Sequence, residues 1–245
     1  MINKTIHYCW FGKNEKPLSV LKCIDSWKKY LPDYKIVEWN EENFDISDSI
    51  PYVRQAYDNK KWAFVTDYVR LKVLADYGGI YLDTDVEVFK SFDPLLSERC
   101  FLGFESNDYL CTAVIGCEPR NGFICQFLES YNSRSFVKDD GTIDTDTTNV
   151  VSMTNLLLNE GLIQNGKYQK LNGITIFPQF FFASNDIINI IHKYDSRIYS
   201  YHHCQASWYV NSRNESFWNL LRHYIVGKLR NVIGTDRLYS LKLFV

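Results

Sequence analysis

The chain has 245 residues, enough for one domain or one domain with a small appendage. Hydrophobic residues make up 46% and charged residues 23%, an ordinary globular balance that supports a real core. With 27 basic against 29 acidic residues the net charge is −2, which speaks against a nucleic-acid binder.

In chain order, Thr5 to Phe11 reads as a buried opening strand closed by Gly12. It is too short, and with His7 too polar, for a signal peptide. Ser19 to Leu31 has helical spacing, with Val20, Ile24, Trp27 and Leu31 on one face. Pro32-Asp33 marks a turn, Lys35 to Trp39 a short strand, and Glu41 to Ser49 an acidic loop. Strand, helix, strand in this order is an α/β opening. Lys61 to Tyr77 carries the strongest helical pattern, stopped by Gly78-Gly79. Ile80 to Val88 follows as an apolar strand that turns acidic partway along. Further strands are expected at Phe101 to Phe104, Ala113 to Gly116 and Ile174 to Pro178. Helices are expected at Gly122 to Tyr131 and Val150 to Gly161, with a polar loop over Lys138 to Asn149. Ile198 to His202 leads into His202-His203-Cys204-Gln205-Ala206-Ser207-Trp208.

The expected organisation is a domain over residues 1–212 and a basic amphipathic helical tail over 213–245. In the tail, Phe217, Leu220, Leu221, Tyr224 and Ile225 repeat at helical spacing beside Arg213, Arg222, Lys228 and Arg230. Such a helix either docks on its own domain or lies on an anionic membrane, which would make the protein peripheral to the inner face of the plasma membrane. No stretch approaches the roughly 20 apolar residues of a membrane span. The seven cysteines are odd in number and include no C-x-x-C. Reduced, mostly buried thiols in a cytoplasmic protein fit better than a disulfide framework or a structural zinc site. Aromatic residues reach 16%; most are expected in the core, although sugar sites also use aromatic faces.

Leu82-Asp83-Thr84-Asp85 carries the chemistry. In a strand, residues two apart point to one face, so the carboxylates of Asp83 and Asp85 are expected to converge. Paired hard oxygens suit Mg²⁺ or Mn²⁺, and such an ion can neutralise a departing diphosphate. Alone, D-x-D is a common surface pattern. The apolar Ile80-Tyr81-Leu82 run places this one at the mouth of a core strand, where α/β folds bind ligands. Asp67 and Arg70 share a face of the preceding helix and lead into the same strand. A surface ion pair is the ordinary reading. The functional one has Asp67 accepting from sugar hydroxyls and Arg70 presenting its planar fork to a phosphate or sugar oxygen. Glu105 and Asn107, after the strand at Phe101 to Phe104, are candidates to face an acceptor.

Ala63 to Arg70, followed by Tyr77-Gly78-Gly79-Ile80-Tyr81-Leu82-Asp83-Thr84-Asp85, resembles the D-x-D sugar-binding region of family 32 glycosyltransferases. That family includes yeast-type initiating mannosyltransferases and bacterial capsule and polysaccharide enzymes. The large clostridial glucosylating toxins share a distant version of the core. Ile6 to Gly12 and His202 to Trp208 resemble the family too, so the likeness spans about residues 5 to 208. It implies a GT-A fold, a Rossmann-like mixed sheet flanked by helices. It also implies a retaining, metal-dependent hexosyl- or N-acetylhexosaminyltransferase. The donor would be a nucleoside-diphosphate sugar, UDP favoured over GDP, and the acceptor a glycan or lipid-linked saccharide, as in capsular or surface polysaccharide synthesis. Carried onto this chain, Asp85 ligates the metal, Asp83 contacts the ribose and the metal shell, and Asp67 and Arg70 grip the donor sugar. Tyr8, Trp10 and Phe11 border the base, Ser207 and Trp208 close over the diphosphate, and His203 adds a metal or phosphate contact. Thr66 stands where Ser or a similar small residue is expected, and Thr147 to Val151 lacks the Gly-Pro of some relatives. Two rivals share single features: a haloacid-dehalogenase-like phosphatase with Asp83 as nucleophile, and a carbohydrate-binding module with a cation site.

Overall fold

Helix α1 (Leu18–Tyr30) joins two parallel strands, β1 (Thr5–Cys9) and β2 (Lys35–Trp39), which run in register from Thr5 opposite Lys35 to Cys9 opposite Trp39. The helix buries Val20, Cys23, Ile24 and Trp27, spaced three and four apart. Trp27 is fully enclosed, and its indole N–H donates to the Val86 carbonyl at 2.7 Å. Truncating such a side chain costs roughly 3–5 kcal/mol. These statements come from a computed structural model that describes residues 1–144, 148–183 and 197–204.

Helix α2 (Pro51–Asp58) opens with proline at its first turn, where the missing N–H is no loss. Helix α3 (Trp62–Tyr77) buries Phe64, Val65, Tyr68, Val69, Leu71, Val73 and Leu74, more than one face, because it lies against β1, α2 and α4 (Gly122–Glu129). Gly78 ends it at φ +63°, and β3 (Gly79–Leu82) begins at once. A Cβ on Gly79, itself at φ +96°, would stand 2.7 Å from the Thr5 carbonyl, so the close β1–β3 approach needs glycine. His7 secures this junction from β1. Its Nδ1 accepts from the Trp39 indole at 3.0 Å, so its Nε2 carries the proton and donates to the Gly78 carbonyl at 2.9 Å. Burial first, then the charge of Lys35, lower its pKa to about 4 against the Gly78 bond, so the ring is neutral.

The main sheet continues through β5 (Cys100–Phe104), β6 (Leu110–Cys117), β7 (Gln169–Leu171) and β8 (Ile174–Phe177), in the order β2-β1-β3-β6-β5-β8-β7. Strands β3 and β5 are both antiparallel to β6, while β8 is parallel to β5, so the sheet is mixed. A second, two-stranded sheet pairs β4 (Val86–Val88) with β9 (Ser200–His202). One core, with Tyr52, Phe64, Val69, Phe127 and Met153, covers one face under α2, α3, α4 and α5 (Asn149–Asn159). The other, with Ile6, Trp27, Leu82, Val86 and Phe101, lies under α1. The described residues fall in one compact unit, Met1–Gln205.

Several elements depart from expectation. The apolar run at 80–88 is two strands separated by a turn, β6 is longer than Ala113 to Gly116, and α2 and β7 are elements beyond those expected. The tail from residue 213, with Ser207 and Trp208, lies outside the described residues. Among the described residues no helix is long and apolar enough to cross a membrane.

Candidate active site

Asp83 follows the last residue of β3, and its N–H still donates to the Ala113 carbonyl of β6 at 2.9 Å. Its own carbonyl then accepts from Val86 N–H at 3.0 Å, closing a turn over Asp83-Thr84-Asp85. The expectation that strand alternation aligns the two carboxylates is therefore corrected: a reverse turn brings them together. From β4 the chain is clamped by β9, with Val86 opposite His202 and His203 N–H donating to the Asp85 carbonyl at 3.0 Å. Ligand atoms of Asp83, Asp85 and His202 all lie within 4.8 Å of one another.

The histidine beside the carboxylates is His202, whose Nε2 stands 3.3 Å from Asp85 Oδ1. His203, the expected contact, points away: its Nε2 meets Glu87 Oε2 at 3.2 Å and its ring packs edge-on to Tyr201. Neighbours in extended chain face opposite sides, so only one of the pair can reach the turn. Burial alone would lower the His202 pKa, but Asp85 and the Cys111 and Cys204 thiols outweigh it and hold the ring protonated. Two carboxylates and one imidazole are a donor set that suits Mn²⁺ or Mg²⁺, and a bound cation would compete with that imidazolium proton.

Arg70 reaches the same turn from α3. It is 5% exposed, and its Nη2 lies 2.9 Å from Asp67 Oδ1 and 3.3 Å from Asp83 Oδ1. Its Nη1 donates to the Thr112 carbonyl at 2.7 Å, and the guanidinium sits over the Tyr81 ring at 4.8 Å. Tyr81 hydroxyl donates to Asp83 Oδ1 at 3.0 Å. Burial works against the charge of Arg70, yet Asp83, then Tyr81 and Asp67, raise its pKa further, so it stays charged. Burial, and secondarily the charge of Asp83, lift the Asp67 carboxyl to about 6 against the pull of Arg70. Asp67 also accepts from Asn149 Nδ2 at 3.1 Å, and Asn149 Oδ1 accepts from Tyr131 hydroxyl at 3.1 Å. Asn149 has no motif around it; a buried asparagine at the first residue of α5 is the one hint.

The opening segment divides. Tyr8 is buried edge-on to Trp27 and donates to Glu38, which also pairs with Lys16 at 2.8 Å. Phe11 is buried against Phe44. Trp10 is half-buried, donates to the Asn14 carbonyl at 2.7 Å and lies beneath Lys16 Nζ. Of the three, Trp10 alone is not buried.

Residues 17–102 match the glycosyltransferase sugar-binding region containing a DXD motif, a span that holds Asp67, Arg70 and the Asp83–Asp85 turn. Over these residues the chain is similar to that glycosyltransferase family. It is 33% identical over 113 residues to mannosyl phosphorylinositol ceramide synthase of Saccharomyces cerevisiae, covering 44% of this chain and 28% of that protein. It is 31% identical over 132 residues to inositol phosphoceramide mannosyltransferase 3 of Schizosaccharomyces pombe, covering 53% and 37%. The chain thus spans under two fifths of the length of these curated relatives. Among solved structures, the PaToxG glycosyltransferase superposes with a TM-score of 0.51 at 22% identity, over 65% of this chain and 70% of that one. The shared fold is GT-A-like. Arg70 and Tyr81 both hold the Asp83 carboxylate, at 3.3 and 3.0 Å from Oδ1.

Proposed function

We propose that this chain transfers a sugar from a nucleoside-diphosphate sugar to a saccharide acceptor with a divalent cation, Mn²⁺ or Mg²⁺. The observation that carries the reading is the convergence of Asp83, Asp85 and His202 beside an arginine braced by two carboxylates. When bound, the cation neutralises the diphosphate as it departs. Asp85 and His202 would hold it directly, and Asp83 would share its carboxylate between the cation and the donor. Arg70 fixes Asp83 rather than gripping the donor by itself, since its fork is engaged by protein atoms. Asp67 keeps an oxygen near the same point and would accept from a donor-sugar hydroxyl. Trp10 would stack on the base. Reaction on one face of the sugar, without a protein nucleophile, gives retention through positioning and electrostatics. The two relatives cited above are named for mannosyl transfer, so GDP-mannose belongs in the donor panel beside UDP-sugars. Surface polysaccharide or a lipid-linked saccharide is the acceptor class to try first, with association at the membrane face through the tail.

The test is thermal unfolding with Mn²⁺ across UDP- and GDP-sugars, since ligands that bind the folded state raise its stability. One donor should stabilise the protein and be slowly hydrolysed. Asp85→Ala should then reduce turnover by about a hundredfold to a thousandfold with the fold intact. Cleavage of a phosphomonoester with no response to any nucleotide sugar would sink the proposal.

A further inference from the structure

Strand β5 ends at Phe104, but its pairing runs one step on: Glu105 N–H donates to the Tyr109 carbonyl at 2.8 Å. Glu105 and Tyr109 are thus opposite residues of one hairpin, and opposite side chains lie on the same face. Two positions back on that face stand Gly103 and Cys111, a registered pair, and Cys111 touches His202. The hairpin mouth therefore opens beside the Asp83–Asp85 turn. Asp83, Asp85 and His202 all act on the Glu105 carboxyl through their charge.

Glu105 differs from its acidic neighbours. Among the described residues it has no side-chain hydrogen bond and no ion pair, although it is partly sheltered. Burial first, then Asp83 and Asp85, raise its pKa, while His202 opposes them. Tyr109, across from it, is 41% exposed, a large area for an aromatic residue so near the site. Asn107, at the hairpin tip, instead lies against Gly166. A sheltered carboxylate with its acceptor capacity unused, beside an open aromatic face, fits the two surfaces of a pyranose ring. The carboxylate takes a hydroxyl, and the ring lies under the C–H face.

We propose that Glu105 and Tyr109 form the acceptor-sugar subsite, with Glu105 accepting a hydrogen bond from the attacking hydroxyl and Tyr109 stacking on the ring that carries it. This rests on the transferase reading above. In the step, the acceptor oxygen bonds to the anomeric carbon. The bond from that carbon to the diphosphate oxygen breaks, and its electron pair leaves with the diphosphate. The hydroxyl proton passes to the departing diphosphate, so Glu105 orients the hydroxyl and ends the cycle unchanged. Water is the smallest occupant of the same place.

The experiment compares wild type, Glu105→Gln and Tyr109→Ala on the full chain. Donor and Mn²⁺ affinities are read by calorimetry, hydrolysis of the donor by nucleotide release, and sugar contact by saturation-transfer NMR. The NMR probes are the methyl α-glycosides of mannose, glucose and galactose, with Mn²⁺ and the nucleoside diphosphate present. Glu105→Gln should slow hydrolysis at least tenfold while Mn²⁺ and donor affinities stay within twofold. Both variants should lose at least four fifths of the transfer to the glycoside that wild type contacts. Parallel loss of donor or Mn²⁺ affinity would place Glu105 in the donor site and overturn the inference. So would unchanged hydrolysis and glycoside signals in the variants, or wild type that binds donor yet contacts none of the three glycosides. Wild type that binds no nucleotide sugar at all would instead bring down the transferase reading itself, and this inference with it.

Discussion

Asp83 receives three donors, two from Arg70 and one from Tyr81, whereas Glu105, at the end of the neighbouring hairpin, receives none among the described residues. The first group belongs to a continuous network that runs from Tyr131 through Asn149, Asp67 and Arg70 to the turn. The second stands sheltered and open. The contrast fits two different tasks. A diphosphate develops the same charge in every turnover, so its supports profit from being rigid beforehand. An acceptor hydroxyl arrives from outside, and the group that meets it must keep a lone pair available.

The hardest blow to the contrast is Arg70→Leu. If the network is a brace, this variant leaves the half-buried carboxylates of Asp67 and Asp83 with only the neutral donors Asn149 and Tyr81 and should cost about 3–5 kcal/mol by urea unfolding. Arg70→Lys should recover only part of that, because one ammonium cannot reproduce the fork. A loss below about 1 kcal/mol, the range of an ordinary exposed pair, would show that the network is decoration.

Next comes pH, through His7, which holds the junction of α3 and β3 on which both Arg70 and Asp83 depend. Its folded pKa is lowered from 6.5 to about 4, so between these values the unfolded chain binds a proton that the native state refuses. Stability from this residue is complete above about pH 6.5 and falls as the pH drops toward 4, by up to the order of 3 kcal/mol. His7→Gln should flatten that part of the pH–stability curve relative to wild type. Equal slopes in the two proteins would remove His7 from the account.

The smallest effect separates the buried from the accessible aromatic at the end of β1. Tyr8→Phe removes one hydrogen bond to Glu38 and should cost about 1 kcal/mol of stability with nucleotide affinity unchanged. Trp10→Ala should do the reverse, weakening nucleotide binding severalfold at little cost in stability. Matching affinity losses in both would mean that the base is bordered differently.

The strong elements were visible in the residues themselves. The pattern of α3, its glycine stop and the apolar entry to β3 are enough by themselves to bring Asp67, Arg70, Asp83 and Asp85 to one end of the sheet. The turn at Asp83 was not visible, because Ile80 to Val88 alternates as one strand would, and only pairing with β6 on one side and β9 on the other divides it. The choice between His202 and His203 hangs on the register of a three-residue strand, which local pattern does not encode. Helix α2 hides because it is short and starts at proline, and β7 because it is a brief polar edge. Asn149 and Glu38 are legible only as partners, once Asp67 and Tyr8 are seen to face them.

The pairing of β4 with β9 also bears on how the protein comes into being. His202 meets Asp85 across more than a hundred intervening residues, so this is among the most distant contacts in the sequence. A nascent chain can build the Rossmann-like half, with Asp67, Arg70 and Asp83 already knitted together, well before β9 has been synthesised. The third member of the donor set arrives with the last described strand. Non-local pairings of this kind form slowly, because the loop they close must be ordered first. An incompletely made chain would therefore carry an intact-looking DXD turn with one donor missing, and competence would be conferred late, at a single strand-pairing event.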